Sequence, residues 1–147
     1  MKKILSVMLL FFCMPAMAAS PQTIYNNILK ANGFWAAPKL VILGSNEVQA
    51  ENRGVTIVLY KGLISYVRND HELALVLSHE LAHGKLWHRG SSHRNEYAAD
   101  KLGMVYMKKA GYNGCLGAKI LLRFNKSASS THPAAKDRYN KTGCPIS

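Results

Sequence analysis

Asn69–His88, NDHELALVLSHELAHGKLWH, is the stretch from which the rest of the chain is placed. Its spacing predicts a helix. Asn69 is positioned to cap the N-terminus, and Glu72, three residues on, to return the reciprocal capping-box bond. Leu73, Ala74, Val76, Leu77, Leu81 and Leu86 leave almost no polar face, so the helix is expected in the domain centre. Inside it stands His79-Glu80-Leu81-Ala82-His83. Histidines four apart lie one turn apart on one face, near enough for both imidazoles to hold one Zn²⁺. Glu80 projects beside the first histidine, where it can take a proton from water activated by that ion. A buried, hydrogen-bonded histidine pair would share this spacing, so the third ligand decides between the two readings.

Catalytic zinc needs three protein ligands and an open position. The candidates after His83 are His88, His93, Glu96 and Asp100. On a helix continuing to His88, that residue turns about 140° away from His83 and cannot share the metal. Glu96 fits better. Arg89-Gly90-Ser91-Ser92 can reverse the chain, and an antiparallel helix then returns Glu96 to the level of the histidines. Asp100, one turn later, falls beside His79, where a carboxylate accepts the imidazole's other N–H and fixes its tautomer. Acids are scarce: Glu72, Glu80, Glu96 and Asp100 are four of only 8 Asp and Glu.

The chain begins with Lys2 and Lys3, an apolar run from Ile4 to Cys13, and Ala16-Met17-Ala18. This is the pattern of a secretory signal peptide, residues 1–18, cut after Ala18, which leaves residues 19–147 as one domain. No later apolar run reaches the roughly 20 residues of a membrane span. A periplasmic or secreted location follows, and Cys115 and Cys144 are expected to form a disulfide in that oxidising compartment. The formal net charge of +11 favours anionic partners such as an envelope surface. Its Lys and Arg residues are dispersed, with no nucleic-acid-binding motif.

Outside the central helix, Pro21–Ala31 reads as a helix stopped by Asn32-Gly33. Lys39–Leu43 and Val55–Tyr60 read as strands, with a looser strand over Glu47–Glu51 and a hairpin turn at Asn52-Arg53-Gly54. Gly62–Val67 links the sheet to the central helix. Helices follow over Arg94–Lys109, over Leu116–Phe124 and after Pro133. Strands first and helices after predict an α+β domain with a small, mainly antiparallel sheet.

HELAH, then NEYAAD at Asn95–Asp100, then THPAAKDR at Thr131–Arg138, in this order, resemble metallopeptidase family 48, which includes the CAAX prenyl proteases. The resemblance runs from about Leu40 to Tyr139 and implies a minimal zincin-like fold of the gluzincin type. It implies His79, His83 and Glu96 as zinc ligands, Glu80 as general base and Asp100 as partner of a ligand histidine. His132 corresponds to a histidine near the metal, stabilising the oxyanion or closing the open position, and Arg138 to an arginine that pairs with an acid of the site. The family's substrate-edge Asn-Ala pair has its nearest equivalents in Gln49-Ala50 or Asn46-Glu47. The expectation is an exported zinc endopeptidase whose peptide substrate adds as a strand near Glu47–Asn52. A zinc-bearing binding module or holdase, and a hydrolase of cell-wall peptide crosslinks, remain open alternatives.

Overall fold

A computed structural model of the chain describes residues 19–124 and 127–146. The expected signal peptide, residues 1–18, lies outside them. Helix α1 (Pro21–Asn32) starts at Ser20, whose hydroxyl accepts the Thr23 N–H, and stops at Gly33 in the left-handed region (φ 69°). Strands β1 (Lys39–Leu43), β2 (Ala50–Asn52) and β3 (Thr56–Tyr60) follow, then α2 (Lys61–Tyr66) and α3 (Asp70–Lys85). Next come α4 (His93–Lys109), α5 (Gly114–Ala118), a 3-10 turn at Leu121–Arg123, and α6 (Ala135–Lys141). The segment expected to be one helix over Leu116–Phe124 is divided between α5 and that turn, and the Gly62–Val67 link is mostly helical.

The domain is α+β, but its sheet is mixed, which corrects the expectation of a mainly antiparallel one. The strand order is β1-β3-β2. β2 and β3 form the expected antiparallel hairpin, whereas β1 runs parallel to β3 over five residue pairs, from Lys39–Thr56 to Leu43–Tyr60. The reason lies at Gly62. After β1 the chain crosses the end of β3 before entering β2. It passes so close that a Cβ on Gly62 would lie 2.0 Å from the Asn46 carbonyl oxygen. Only a residue without a side chain lets this crossover through, and the Gly62 N–H secures it by donating to the Ser45 carbonyl at 3.0 Å.

α3 fills the centre. Nine of its residues, from Glu72 to Ala82, are buried, among them Leu73, Leu75, Leu77 and Leu81. They pack against Ile24, Tyr25 and Ile28 of α1, Ile57 and Leu59 of β3, and Met104 and Met107 of α4. Asn69 caps the helix as expected, accepting the Glu72 N–H at 3.0 Å. The reciprocal bond is displaced. The Glu72 carboxylate accepts the Arg68 N–H and a two-pronged bond from Arg123, both prongs at 2.7 Å. Burying this acid requires a cation, and Arg123 supplies it from 51 residues away.

α3 also ends earlier than expected. Its last helical residue is Lys85, and Trp87 takes a left-handed conformation (φ 54°) that turns the chain. The Cys115–Cys144 disulfide is formed, with Cα atoms 5.4 Å apart, tying the segment after α6 to α5. No helix among the described residues is long and apolar enough to cross a membrane.

Candidate metal centre

Two helices build the site. α3 and α4 pack side by side, and Gly103 of α4 lets them approach closely at the level of His79. A Cβ on Gly103 would lie 3.0 Å from the His79 backbone nitrogen and 3.2 Å from the Ser78 carbonyl carbon. One and two turns back along α4, Asp100 and Glu96 point into the same gap. Ser92 caps α4 through the Asn95 N–H, so the helix begins at His93 and Glu96 falls in its first turn.

The Nε2 atoms of His79 and His83 stand 2.9 Å apart. Glu96 brings one carboxylate oxygen to 3.6 Å from His79 Nε2 and the other to 3.3 Å from His83 Nε2. One ligand atom from each of the three residues lies within 4.8 Å of the others. Donors at about 2 Å from a shared Zn²⁺ would be separated by such distances.

The hydrogen bonds fix which atoms are free. Asp100 Oδ1 is 2.9 Å from His79 Nδ1, placed to accept the Nδ1 proton and so to turn the Nε2 lone pair toward a metal ion when one is bound. His83 Nδ1 is 3.0 Å from His88 Nδ1. If His83 ligates through Nε2, its Nδ1 carries the proton and donates it to His88. Two imidazole lone pairs and a carboxylate then face one point, and such a donor set calls for a cation. The residues fit a metal.

Charge around the group is balanced by Arg138 on α6. Its Nε donates to Asp100 Oδ2 at 2.7 Å and its Nη2 to Oδ1 at 2.6 Å, a two-pronged bond from a half-buried guanidinium to a buried carboxylate. Nη1 lies 3.7 Å from Glu96. Burial raises the pKa of Asp100, but Arg138 and His79 outweigh it and hold the acid below its ordinary range. Glu96 behaves likewise: burial pushes up and the two histidines pull further down. For His79, burial opposes protonation, yet Asp100 and Glu96 lift the imidazole to about 9 when no ion competes. Glu80 is raised, chiefly by burial.

Glu80, His79, Glu96, Asp100, Arg138 and His132 all line one cavity of about 230 Å³. Leu63, Leu75, Val76, Ile120, Leu121 and Phe124 make its apolar wall, and Val48, Gln49 and Ala50 form a rim beside β2. The rim contains Gln49-Ala50 but neither Asn46 nor Glu47. His132 stands at the mouth, 44% exposed, with Nε2 4.0 Å from Glu96. Its Nδ1 pairs with the Thr131 hydroxyl at 2.8 Å, and its N–H donates to Ser129 Oγ.

Thus the structure brings together His79, Glu80, His83, Glu96, Asp100, His132 and Arg138. His93 is directed elsewhere, to the Ser129 carbonyl at 2.6 Å. His88 is placed differently from the sequence reading. Because α3 ends at Lys85, His88 is not carried away on a helix but comes back onto His83. Its contact depends on the turn at Trp87, a residue type that gives no stop signal. Asn52, read from the sequence as the start of a hairpin turn, has a further role that its turn signal does not indicate. Its amide donates to the Glu80 carbonyl at 2.8 Å and fastens β2 to α3 beside the site.

The sequence model of Peptidase family M48 matches residues 15–93, more than half of the chain. The matched segment includes His79, Glu80 and His83 and ends just before Glu96, which the packing of α4 supplies. No curated protein matches the chain significantly.

Proposed function

This chain belongs to peptidase family M48, and on that premise we propose that it is an exported zinc endopeptidase of the gluzincin type. The observation that carries the reading is the convergence of the His79 and His83 Nε2 atoms and the Glu96 carboxylate, with His79, Glu96 and Glu80 lining one cavity. His79, His83 and Glu96 would hold the metal, and Asp100 and His88 would keep the two imidazoles in the ligating tautomer. Zinc in this position supplies Lewis acidity.

The chain's own groups do the rest. Glu80 takes a proton from the attacking water as its oxygen bonds to the scissile carbonyl carbon. It returns that proton to the amine as the C–N bond breaks. Burial raises the pKa of Glu80, which suits a group that must first accept a proton and then release it. Arg138 keeps Asp100 charged, and so keeps the proton on His79 Nδ1. His132, with an imidazole N–H at the cavity mouth, stabilises the developing oxyanion.

Substrate binding follows from the free edge of β2. The Gln49 carbonyl accepts the Tyr60 N–H, and the Arg53 N–H donates to the Thr56 carbonyl, both bonds being to β3 or its end. By alternation, the backbone groups of Ala50 and Asn52 face outward, open to an extended peptide. The apolar wall suits an aliphatic or aromatic side chain next to the scissile bond. The Cys115–Cys144 disulfide supports a location outside the reducing cytosol.

A second reading draws on His132, which is close enough to the group to close its open position and leave a metal-bearing binding module. Zinc content and casein cleavage, measured for mature protein and for Glu80→Gln, separate the two. A protease loses cleavage in the variant and keeps its metal. Zinc retained in both proteins with cleavage by neither supports the binding module. Cell-wall fragments released while casein survives point to crosslink hydrolysis.

A further inference from the structure

Ala19 and Asp70 meet at the start of two helices, far from the histidines. The Ala19 backbone nitrogen lies 3.1 Å from Asp70 Oδ1 and 3.1 Å from Oδ2. Its N–H is thus shared between both carboxylate oxygens. Among the described residues, these are the only hydrogen bonds of the Asp70 side chain. Ala19 itself is half-buried and packs against the hydrophobic core. It immediately precedes Ser20, the cap of α1, while Asp70 is the first residue of α3.

We propose that Asp70 is the receptor for the α-ammonium of Ala19, so that removal of the leader adds an ion pair to the start of the helix that bears the histidines. This rests on the leader being cut after Ala18. Hydrolysis of the Ala18–Ala19 bond by a leader peptidase consumes one water. It leaves a carboxylate on Ala18 and, at neutral pH, an ammonium on Ala19. The nitrogen already between the two Asp70 oxygens then gains a positive charge and two further hydrogens. A neutral hydrogen bond becomes a charge-assisted one.

The position makes the pairing necessary as well as available. An ammonium at Ala19 stands at the N-terminal ends of α1 and α3, where both helix dipoles are positive. Without a carboxylate it would be repelled from this corner. Asp70 offsets both dipoles and uses both its oxygens on one nitrogen. α1 carries Ile24, Tyr25 and Ile28 into the core against α3. Fastening the residue before its cap therefore holds that interface closed at the end opposite the metal group.

The test is the pKa of the Ala19 α-amine in chain recovered after export. Intact mass first establishes the N-terminal residue, and isotope-labelled dimethylation of the α-amine then gives a resonance to titrate by NMR. Pairing predicts a value at least half a unit above the usual range of about 7.7–8.0, falling to or below that range in Asp70→Asn. Arg68, His71 and Glu72 flank Asp70 and are common to both proteins, so their influence cancels. In a second chain, one glycine inserted before Ala19 displaces the ammonium by about 3.8 Å. There, Asp70→Asn should change the unfolding equilibrium less than in the native mature chain, by the two- to fivefold that the ion pair contributes. An unchanged α-amine pKa on replacing Asp70, or a mature chain beginning at another residue, overturns the proposal. Neither result bears on whether the chain is a peptidase.

Discussion

Replacing Gly103 with alanine tests how the metal group is spaced. The added Cβ would lie 3.0 Å from His79 N, 3.1 Å from His79 Cα and 3.2 Å from Ser78 C. All three are backbone atoms of α3, so no side chain can swing aside. The helices must separate by a few tenths of an ångström to reach ordinary contact. Two effects oppose each other in stability. Alanine in a helix interior gains about 1 kcal/mol over glycine, while overpacking costs about 1–3 kcal/mol. A net loss between about 0 and 2 kcal/mol follows. The effect on metal affinity has no such compensation. Ligand distances must hold within about 0.2 Å, and Glu96 and Asp100 ride on the helix that moves. Gly103→Ala should therefore weaken zinc binding about tenfold or more, at the lower end of the loss seen for damaged supporting contacts. Chelator competition measures the affinity and denaturant unfolding the stability. Lys101→Ala, on the exposed side of α4, controls for propensity alone. A Gly103→Ala protein that binds zinc like wild type and gains about 1 kcal/mol would refute the reasoning.

Three further outcomes are expected. Arg123→Ala leaves Glu72, 1% exposed, as an unpaired buried charge; denaturant unfolding should show a loss of about 3–5 kcal/mol, partly recovered by adding Glu72→Gln. Replacing Cys115 and Cys144 by serine opens a crosslink spanning 29 residues and should cost about 3–4 kcal/mol, read as a fall in melting temperature of about 10–15 °C. His132→Ala should cut turnover of a peptide substrate about 10²- to 10³-fold with little change in KM; a rise in turnover would instead assign His132 to closing the metal position.

Much of this arrangement is legible because its signals are local. Asn69 announces the start of α3, the unbroken apolar run announces its burial, and the four-residue spacing puts His79 and His83 on one face. Glu96 and Asp100 follow from one chain reversal and the helical repeat, and Asp100 lands within 2.9 Å of His79. The parts that were not legible depend on contacts distant in sequence or on unusual backbone. Nothing around Leu40 indicates parallel pairing. Its cause is the passage of Asn46 over Gly62, a steric fact between two segments. The end of α3 lies at Trp87 in a left-handed conformation, where glycine or asparagine would have been the recognisable sign. The partner of Glu72 is Arg123, so its side chain leaves the local capping pattern. The place of His88 against His83 inherits the error about the helix end.

Stoichiometric reconstitution tests the central claim most directly. Protein stripped with a chelator and titrated with Zn²⁺ should regain peptidase activity in proportion to metal and saturate at one equivalent. Glu96→Ala should remain largely metal-free and inactive at that point, because two imidazoles alone hold the ion weakly. Activity that survives stripping, or a Glu96→Ala protein reconstituted as readily as wild type, would contradict an account in which His79, His83 and Glu96 together hold the catalytic metal.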